Sequence, residues 1–163
     1  MAFKAILELL KFGGEDVKGV FIGHSDCQLP MEKVKNAIRE MIGNGVDVFL
    51  NGGMGGFDAL CARAVFELKS EFPYIKSLLV IPYLSFKCSF ADLFDGSIYP
   101  EGLEKFYFKA AIIKRNEYMV DNSEAALCYV YTLGRSAKTY KRALSKGLET
   151  YYLCQPPNTD YFL

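Results

Sequence analysis

Short apolar runs rich in β-branched and aromatic residues alternate along the chain with segments of helical period. That alternation constrains the fold more than any single motif does. The runs "VKGVFIG" (17–23), "VDVFL" (46–50), "SLLVIPYL" (77–84), "AALCYVY" (125–131) and "ETYYLC" (149–154) read as strands. Segments 30–44, 57–70, 104–121 and 136–146 read as helices. In the first of these Pro30 sits at a tolerated start position, and Val34, Ile38, Met41 and Ile42 recur with helical spacing. Strands alternating with helices imply right-handed crossovers and a parallel sheet covered on both sides. The expectation is a single three-layer α/β domain with a mainly parallel sheet of five strands or slightly more. Segment 85–103 holds Phe, Asp, Gly and Pro without a sustained period, and it reads as a long loop with at most one helical turn.

At 163 residues the chain suits one domain, with a core at 17–154 and an irregular tail at 155–163. The opening "MAFKAILELLKF" is interrupted by Lys4, Glu8 and Lys11. It reads as an amphipathic helical extension over 1–15 rather than a signal sequence. No stretch of ~18 uninterrupted apolar residues occurs, so a soluble protein with no membrane partner is expected. Cys27, Cys61, Cys88, Cys128 and Cys154 form no CxxC pair, and His24 is the single histidine. Free thiols in a reducing cytoplasm are therefore expected, with no metal site and no cofactor. Lys plus Arg and Asp plus Glu number 19 each. Proteins that neutralise a phosphate backbone usually carry a basic excess, so nucleic acid is not expected as a partner. The N-terminal helix and the Phe/Tyr-rich middle segment are candidates for a homodimer interface.

In a parallel sheet covered by helices, ligands bind beyond the carboxyl ends of the strands. Three segments of interest fall there: "GHSDC" after the first strand, "NGGMGGFD" after the second and "TLGRSAKT" after the fourth. In the second, Gly52, Gly53, Gly55 and Gly56 let the backbone approach a ligand closely, and the helix starting near Phe57 adds unpaired N–H groups. The loop is neither a Walker loop nor a GxGxxG fingerprint, and by itself it fits a ligand cradle or a tight turn equally. Asp58 either complements the helix dipole or bonds a ribose hydroxyl or an exocyclic amine. In the third segment Gly134, Arg135, Ser136, Lys138 and Thr139 offer backbone N–H groups, hydroxyls and cations at a helix start, a set that suits an anion. Gly23 and His24 close the first strand, with His24 either a ligand contact or a satisfied turn residue. Arg115 and Asn116, with Asp121 beyond, reach the same pocket or else form a salt-bridged helix surface.

These segments together resemble the SLOG superfamily, Rossmann-like proteins related to DNA-processing protein A and to the lonely-guy cytokinin-activating enzymes. The similarity is greatest to its small standalone bacterial branch. That branch carries a first strand ending in "GHR", a loop like "GGAxGFDxxAA", then "LK…YP", "RN…M" and a late "GGxxKTxxxA". The chain has "FIGHSD", "NGGMGGFDALCARA", "ELKSEFPYI", "KRNEYMVDNS" and "LGRSAKTYKRA" in that order. Ser25 stands where the branch usually has arginine, and Arg135 replaces the second glycine of the late loop.

The resemblance implies a Rossmann-like fold and a nucleotide or nucleotide-derived, ADP-ribose-like small molecule as partner. The glycine loops would hold its phosphate and Arg115 would supply charge. It also raises an enzymatic alternative, cleavage of an N-glycosidic bond in a nucleotide. The lonely-guy enzymes use a glutamate late in their motif for this, and the corresponding position here is Arg142. Asp58, Asp92 and Asp121 are then the candidate acids or bases. Single-stranded DNA binding, as in the DNA-processing relatives, is a third reading.

Overall fold

The computed structural model describes residues 16–161. Among these, six strands form one wholly parallel sheet: β1 (Lys18–Gly23), β2 (Val48–Asn51), β3 (Lys76–Val80), β4 (Gly96–Ile98), β5 (Ala125–Tyr129) and β6 (Glu149–Tyr152). Their spatial order is β4-β3-β2-β1-β5-β6. The crossovers carry helices α1 (Met31–Gly43), α2 (Gly55–Leu68), α3 (Phe108–Asp121) and α4 (Arg135–Ser145). The helical extension expected over 1–15 lies outside the described residues.

Residue alternation along the strands builds the three layers. Phe21, Phe49 and Leu127 face one side of the sheet, where Val34, Ile38, Met41 and Ile42 of α1 and Cys61, Ala64, Val65 and Leu68 of α2 cover them. Val20, Ile22, Val48, Leu50 and Ala126 face the other side, under Met119 and Val120 of α3 and Ala137, Tyr140 and Ala143 of α4. Each fully buried large aliphatic side chain contributes about 1.5–3 kcal/mol, so the amphipathic faces rather than helix propensity hold these helices in place. α1 stops where Asn44 and the left-handed Gly45 (φ 107°) break its ladder.

Carboxylates finish the amino edge of the sheet. Asp47 Oδ1 accepts from the Val17 N–H at 2.8 Å, Glu124 Oε2 from the Lys18 N–H at 2.6 Å, and Asp95 Oδ2 from the Ser77 N–H at 2.8 Å. These three carboxylates are therefore engaged at the edge opposite the carboxyl ends of the strands.

The strand count is six rather than the five counted from the sequence. The extra strand, β4, lies inside the segment expected to be a loop, together with a 3-10 turn at Ala91–Leu93. Gly96, Ser97 and Ile98 are too few to show a period. They form a strand because Leu78, Leu79 and Val80 of β3 pair with them, while Asp95 is anchored by Lys69 and the Ser77 N–H. The chain runs outward from β1 through β2 and β3 to β4, then returns to place β5 on the other side of β1. The reversal leaves a crevice above β1 and β5, the position at which such sheets take ligands.

Candidate functional site

The glycine loop after β2 is held by its own polar groups. Buried Asn51 accepts the Gly53 N–H on Oδ1 at 2.8 Å and donates from Nδ2 to the Asp58 carbonyl at 2.9 Å. Asp58 Oδ2 accepts the Met54 N–H at 2.9 Å. The Gly56 N–H donates to the Ser25 carbonyl at 2.7 Å. Glycine is required here for contact between two loops. A Cβ on Gly56 would lie 2.5 Å from the Ser25 oxygen, and one on Gly55, whose φ is 85°, would lie 2.8 Å from the Ser25 Cα. The N–H groups of Gly53, Met54 and Gly56 thus point to protein acceptors.

Arg115 of α3 reaches beneath this loop and is only 2% exposed. Its Nη1 donates to the carbonyls of Gly52 (2.6 Å) and Val80 (2.8 Å), which end β2 and β3. Nε donates to Asn116 Oδ1 at 2.8 Å, and Nη2 meets the Met54 thioether at 3.2 Å. Nη1 alone joins the two strand ends while Nε, on the other side of the planar fork, holds Asn116, a division of donors that a lysine ammonium does not offer. Burial pulls its pKa down to about 10, so it stays cationic at neutral pH. Burial pushes the half-buried Asp58 carboxyl up to about 6, against the opposing pull of the Met54 N–H and the Arg115 charge. A buried cation and a carboxyl near its titration point therefore form the floor of the crevice.

The opposite wall is the start of α4. Its N-cap is Gly134, no side chain caps it, and no acid occupies its first turn. The first turn of a helix leaves N–H groups without intrahelical partners, here those of Arg135, Ser136 and Ala137, with the positive end of the helix dipole behind them. The Ser136 hydroxyl is turned away to donate to the Gly23 carbonyl at 2.8 Å, which ties the start of α4 to the end of β1.

Between these walls lies a cleft of about 110 Å³. Gly23, Gly52, Asp58, Arg115, Asn116, Arg135, Ser136 and Thr139, all expected from the sequence, line it. So do Ser25, Met54, Ile112 and Met119, which the sequence reading did not assign to a site. Ile112 and Met119 stand three before and four after Arg115, so helical spacing from that residue would have found them. A second hollow of about 570 Å³ adjoins the cleft and shares Asn116, Arg135 and Thr139 with it.

Other expected residues stand elsewhere. Phe57 is buried against Phe21 and Tyr129, and it fills the space above Gly23, where a Cβ would come within 2.2 Å of its ring. His24 Nε2 accepts the Tyr131 N–H at 3.1 Å, and its ring packs 4.3 Å from that of Tyr131. Asp121 is bound by two of the three Arg142 guanidinium nitrogens, Nε at 2.8 Å and Nη2 at 2.7 Å. Exposed Asp92 lies on the 3-10 turn before β4. Asp58 is thus the one carboxylate among the described residues that line the cleft. Such a site can bind an anion and order its surroundings, and a paired acid and base would need a second group. No cluster of metal-ligating side chains occurs among the described residues, nor any helix long and apolar enough to cross a membrane.

Residues 19–153 match the profile of the YspA SLOG family. A UPF0398 protein of Oenococcus oeni is 26% identical over 154 residues, which cover 85% of this chain and 79% of that protein. DNA processing protein A of Streptococcus pneumoniae superposes with a TM-score of 0.64 at 19% identity over 84% of this chain, and the chain spans 50% of that protein's length. The Helicobacter pylori protein of the same name superposes with a TM-score of 0.60 at 18% identity, over 87% of this chain and 67% of that one. That protein is described as having a unique single-stranded DNA binding mode. The expectation that nucleic acid is not a partner is corrected by these neighbours. It rested on a net charge of zero, which hides how the charges are placed: Asp47, Glu124 and Asp95 serve the amino edge of the sheet, while α4 carries Arg135, Lys138, Lys141 and Arg142 without an acid of its own, Arg142 being held by Asp121 of α3.

Proposed function

The chain belongs to the YspA SLOG family, and from that premise we propose that its cleft holds the phosphate of a nucleotide or a nucleotide-derived, ADP-ribose-like molecule. The observation that carries the reading is the uncapped, acid-free start of α4 facing the buried guanidinium of Arg115 across the cleft. Arg135 and the first-turn N–H groups are the phosphate donors in this reading, since the Thr139 hydroxyl donates to the Arg135 carbonyl at 3.3 Å. The glycine loop holds the floor and keeps Asp58 and Arg115 in place. A cleft of about 110 Å³ suits a phosphate group rather than a whole nucleotide, so the nucleoside extends into the adjoining hollow of about 570 Å³.

The test is a thermal-shift comparison of nucleoside monophosphates and ADP-ribose with the matching nucleosides. Phosphate-bearing ligands at about a hundredfold excess over Kd stabilise by about 2.7 kcal/mol, and nucleosides by much less. Equal behaviour of nucleosides and nucleotides, or no shift at millimolar ligand, refutes the reading.

A second reading, in which the nucleotide belongs to single-stranded DNA, is favoured by the acid-free basic face of α4 and by what is described for the Helicobacter pylori neighbour. Hydrolysis of an N-glycosidic bond is the weaker alternative, since Asp58 is the one carboxylate among the described residues lining the cleft, its Oδ2 already accepts from Met54, and Glu117 of the adjoining hollow is paired with Lys114.

A further inference from the structure

An acid lies in a cleft whose other polar walls suit an anion. Asp58 lines it together with Arg115, Arg135 and the start of α4. One carboxyl oxygen, Oδ2, is taken by the Met54 N–H at 2.9 Å, and no hydrogen bond from the described residues reaches Oδ1. Arg115 stands near without neutralising the carboxyl by contact. Its hydrogen bonds go to the carbonyls of Gly52 and Val80, to Asn116 and to the Met54 thioether, and among the described residues none goes to Asp58.

The groups that face Asp58 leave its charge to be decided by the ligand. Arg115 comes from α3, Arg135 from α4 across the cleft, Cys61 from one turn further along α2, and Cys88 from the segment after β3. Burial pushes both thiols up, so they stay neutral and add no negative charge. The loop after β1 presents Ser25, whose carbonyl is taken by the Gly56 N–H. Among the described residues Asp58 is therefore the one negative group that an anion in the cleft meets, and a space of about 110 Å³ gives the anion no room to stand clear of it. A carboxylate and a phosphate in contact repel, and the like charge drives the carboxyl towards its neutral form. The O–H so formed donates to a charged oxygen, which is a short and strong kind of hydrogen bond.

We propose that Asp58 contacts the bound anion as a neutral acid: one proton from solvent goes onto Oδ1 as the phosphate enters, and Oδ1–H donates to a phosphate oxygen. The inference rests on the cleft's binding a phosphate and adds that a proton is bound with it. The Met54 N–H keeps Oδ2 as an acceptor, so Oδ1 is the oxygen left to carry the proton. In the free protein the Asp58 carboxyl titrates near 6. Below that pH the acid is already in place and affinity is flat. Above it each anion must bring a proton to the site, and affinity falls about tenfold per pH unit.

The experiment is calorimetric titration with a nucleoside monophosphate and, separately, with inorganic sulfate, from about pH 5 to about pH 8. Each titration is run in two buffers of different protonation enthalpy, so that the protons taken up are counted. Sulfate carries no titrating proton in this range, so its pH dependence belongs to the protein. The parent is expected to take up close to one proton per anion at pH ~8, and to bind sulfate about a hundredfold weaker there than at pH ~5. Asp58→Asn keeps an acceptor for the Met54 N–H and gives the anion a permanent donor. It is expected to take up no proton, to bind sulfate equally across the range, and at pH ~8 to bind it about a hundredfold tighter than the parent. His24→Gln keeps the parent's profile, because the imidazole Nε2 is turned to the Tyr131 N–H.

Binding by the parent with no proton uptake overturns the role of Asp58 and leaves the phosphate reading standing. So does a pH profile unchanged in Asp58→Asn or lost in His24→Gln, or a folded Asp58→Asn that binds neither anion. The proton count is made on the parent, so it decides even if the variant does not fold. No binding of either anion at any pH, by calorimetry and by thermal shift, overturns the phosphate reading and the role of Asp58 with it.

Discussion

The guanidinium of Arg115 lies so close to Gly52 that a Cβ there would come within 3.1 Å of Cζ, while Nη1 donates to the Gly52 carbonyl at 2.6 Å. A buried cation therefore fastens the end of β2 to the end of β3, and the glycine that admits it sits in the loop lining the cleft. Removing one partner of a buried charged network leaves carbonyls and a carboxylate without compensation. Arg115→Met is expected to lose about 3–5 kcal/mol in urea unfolding. Arg115→Lys recovers only part of this, because a point charge cannot serve the Gly52 and Val80 carbonyls and Asn116 together.

Asp58 gives the protein a pH dependence of definite sign. Its carboxyl titrates near 6 in the fold against 3.8 in the unfolded chain, because burial disfavours the charge. The stability held by the neutral form is complete below pH 3.8 and is lost as pH rises through about 6, an effect of about 3 kcal/mol. Asp58→Asn keeps an acceptor for the Met54 N–H and does not ionise. Its stability relative to the parent should rise by about that amount between acid and pH ~8. Denaturation curves at a series of pH values read this directly, and parallel profiles for the two proteins would contradict it.

Contact between the two strand-end loops makes a steric prediction. Gly56→Ala forces a Cβ to within 2.5 Å of the Ser25 oxygen, a backbone atom that cannot swing aside. A loss of about 1–3 kcal/mol is expected, with weaker ligand binding because both loops line the cleft. Gly43→Ala is the control, since a Cβ there meets nothing within 4 Å and the residue is helical. It should be neutral or stabilising by up to ~1 kcal/mol. Thermal unfolding of the two variants side by side separates loop contact from a general effect of removing glycine.

Much of this was legible in the sequence, for identifiable reasons. Strands β1, β2, β3, β5 and β6 were readable because each is an apolar run of β-branched or aromatic residues bounded by glycine, proline or a charged turn. β4 was not, since Gly96, Ser97 and Ile98 become a strand only through β3 and the anchoring of Asp95. The cleft's glycines and the start of α4 were readable as loops at strand ends. The direction in which their polar groups point was not. Asn51 and Asp58 turn their side chains back onto N–H groups of their own loop, while Ser25 takes up the Gly56 N–H and Ser136 spends its hydroxyl on Gly23 through contacts between segments distant in sequence. Arg115 and Asp121 read alike as helix charges, yet one is buried beneath the cleft and the other is paired on the surface with Arg142. The zero net charge misled for the same reason, because a sum over the chain carries no position.

The most direct test of the phosphate at the start of α4 is a residue-resolved NMR titration of the amides with a nucleoside monophosphate and, separately, its nucleoside. Saturable shifts are expected at Arg135, Ser136 and Ala137 and at Gly23, whose carbonyl the Ser136 hydroxyl holds. They should appear with the monophosphate and be absent or far smaller with the nucleoside. Equal shifts with both ligands, shifts confined to residues away from the cleft, or none at millimolar ligand would contradict the account.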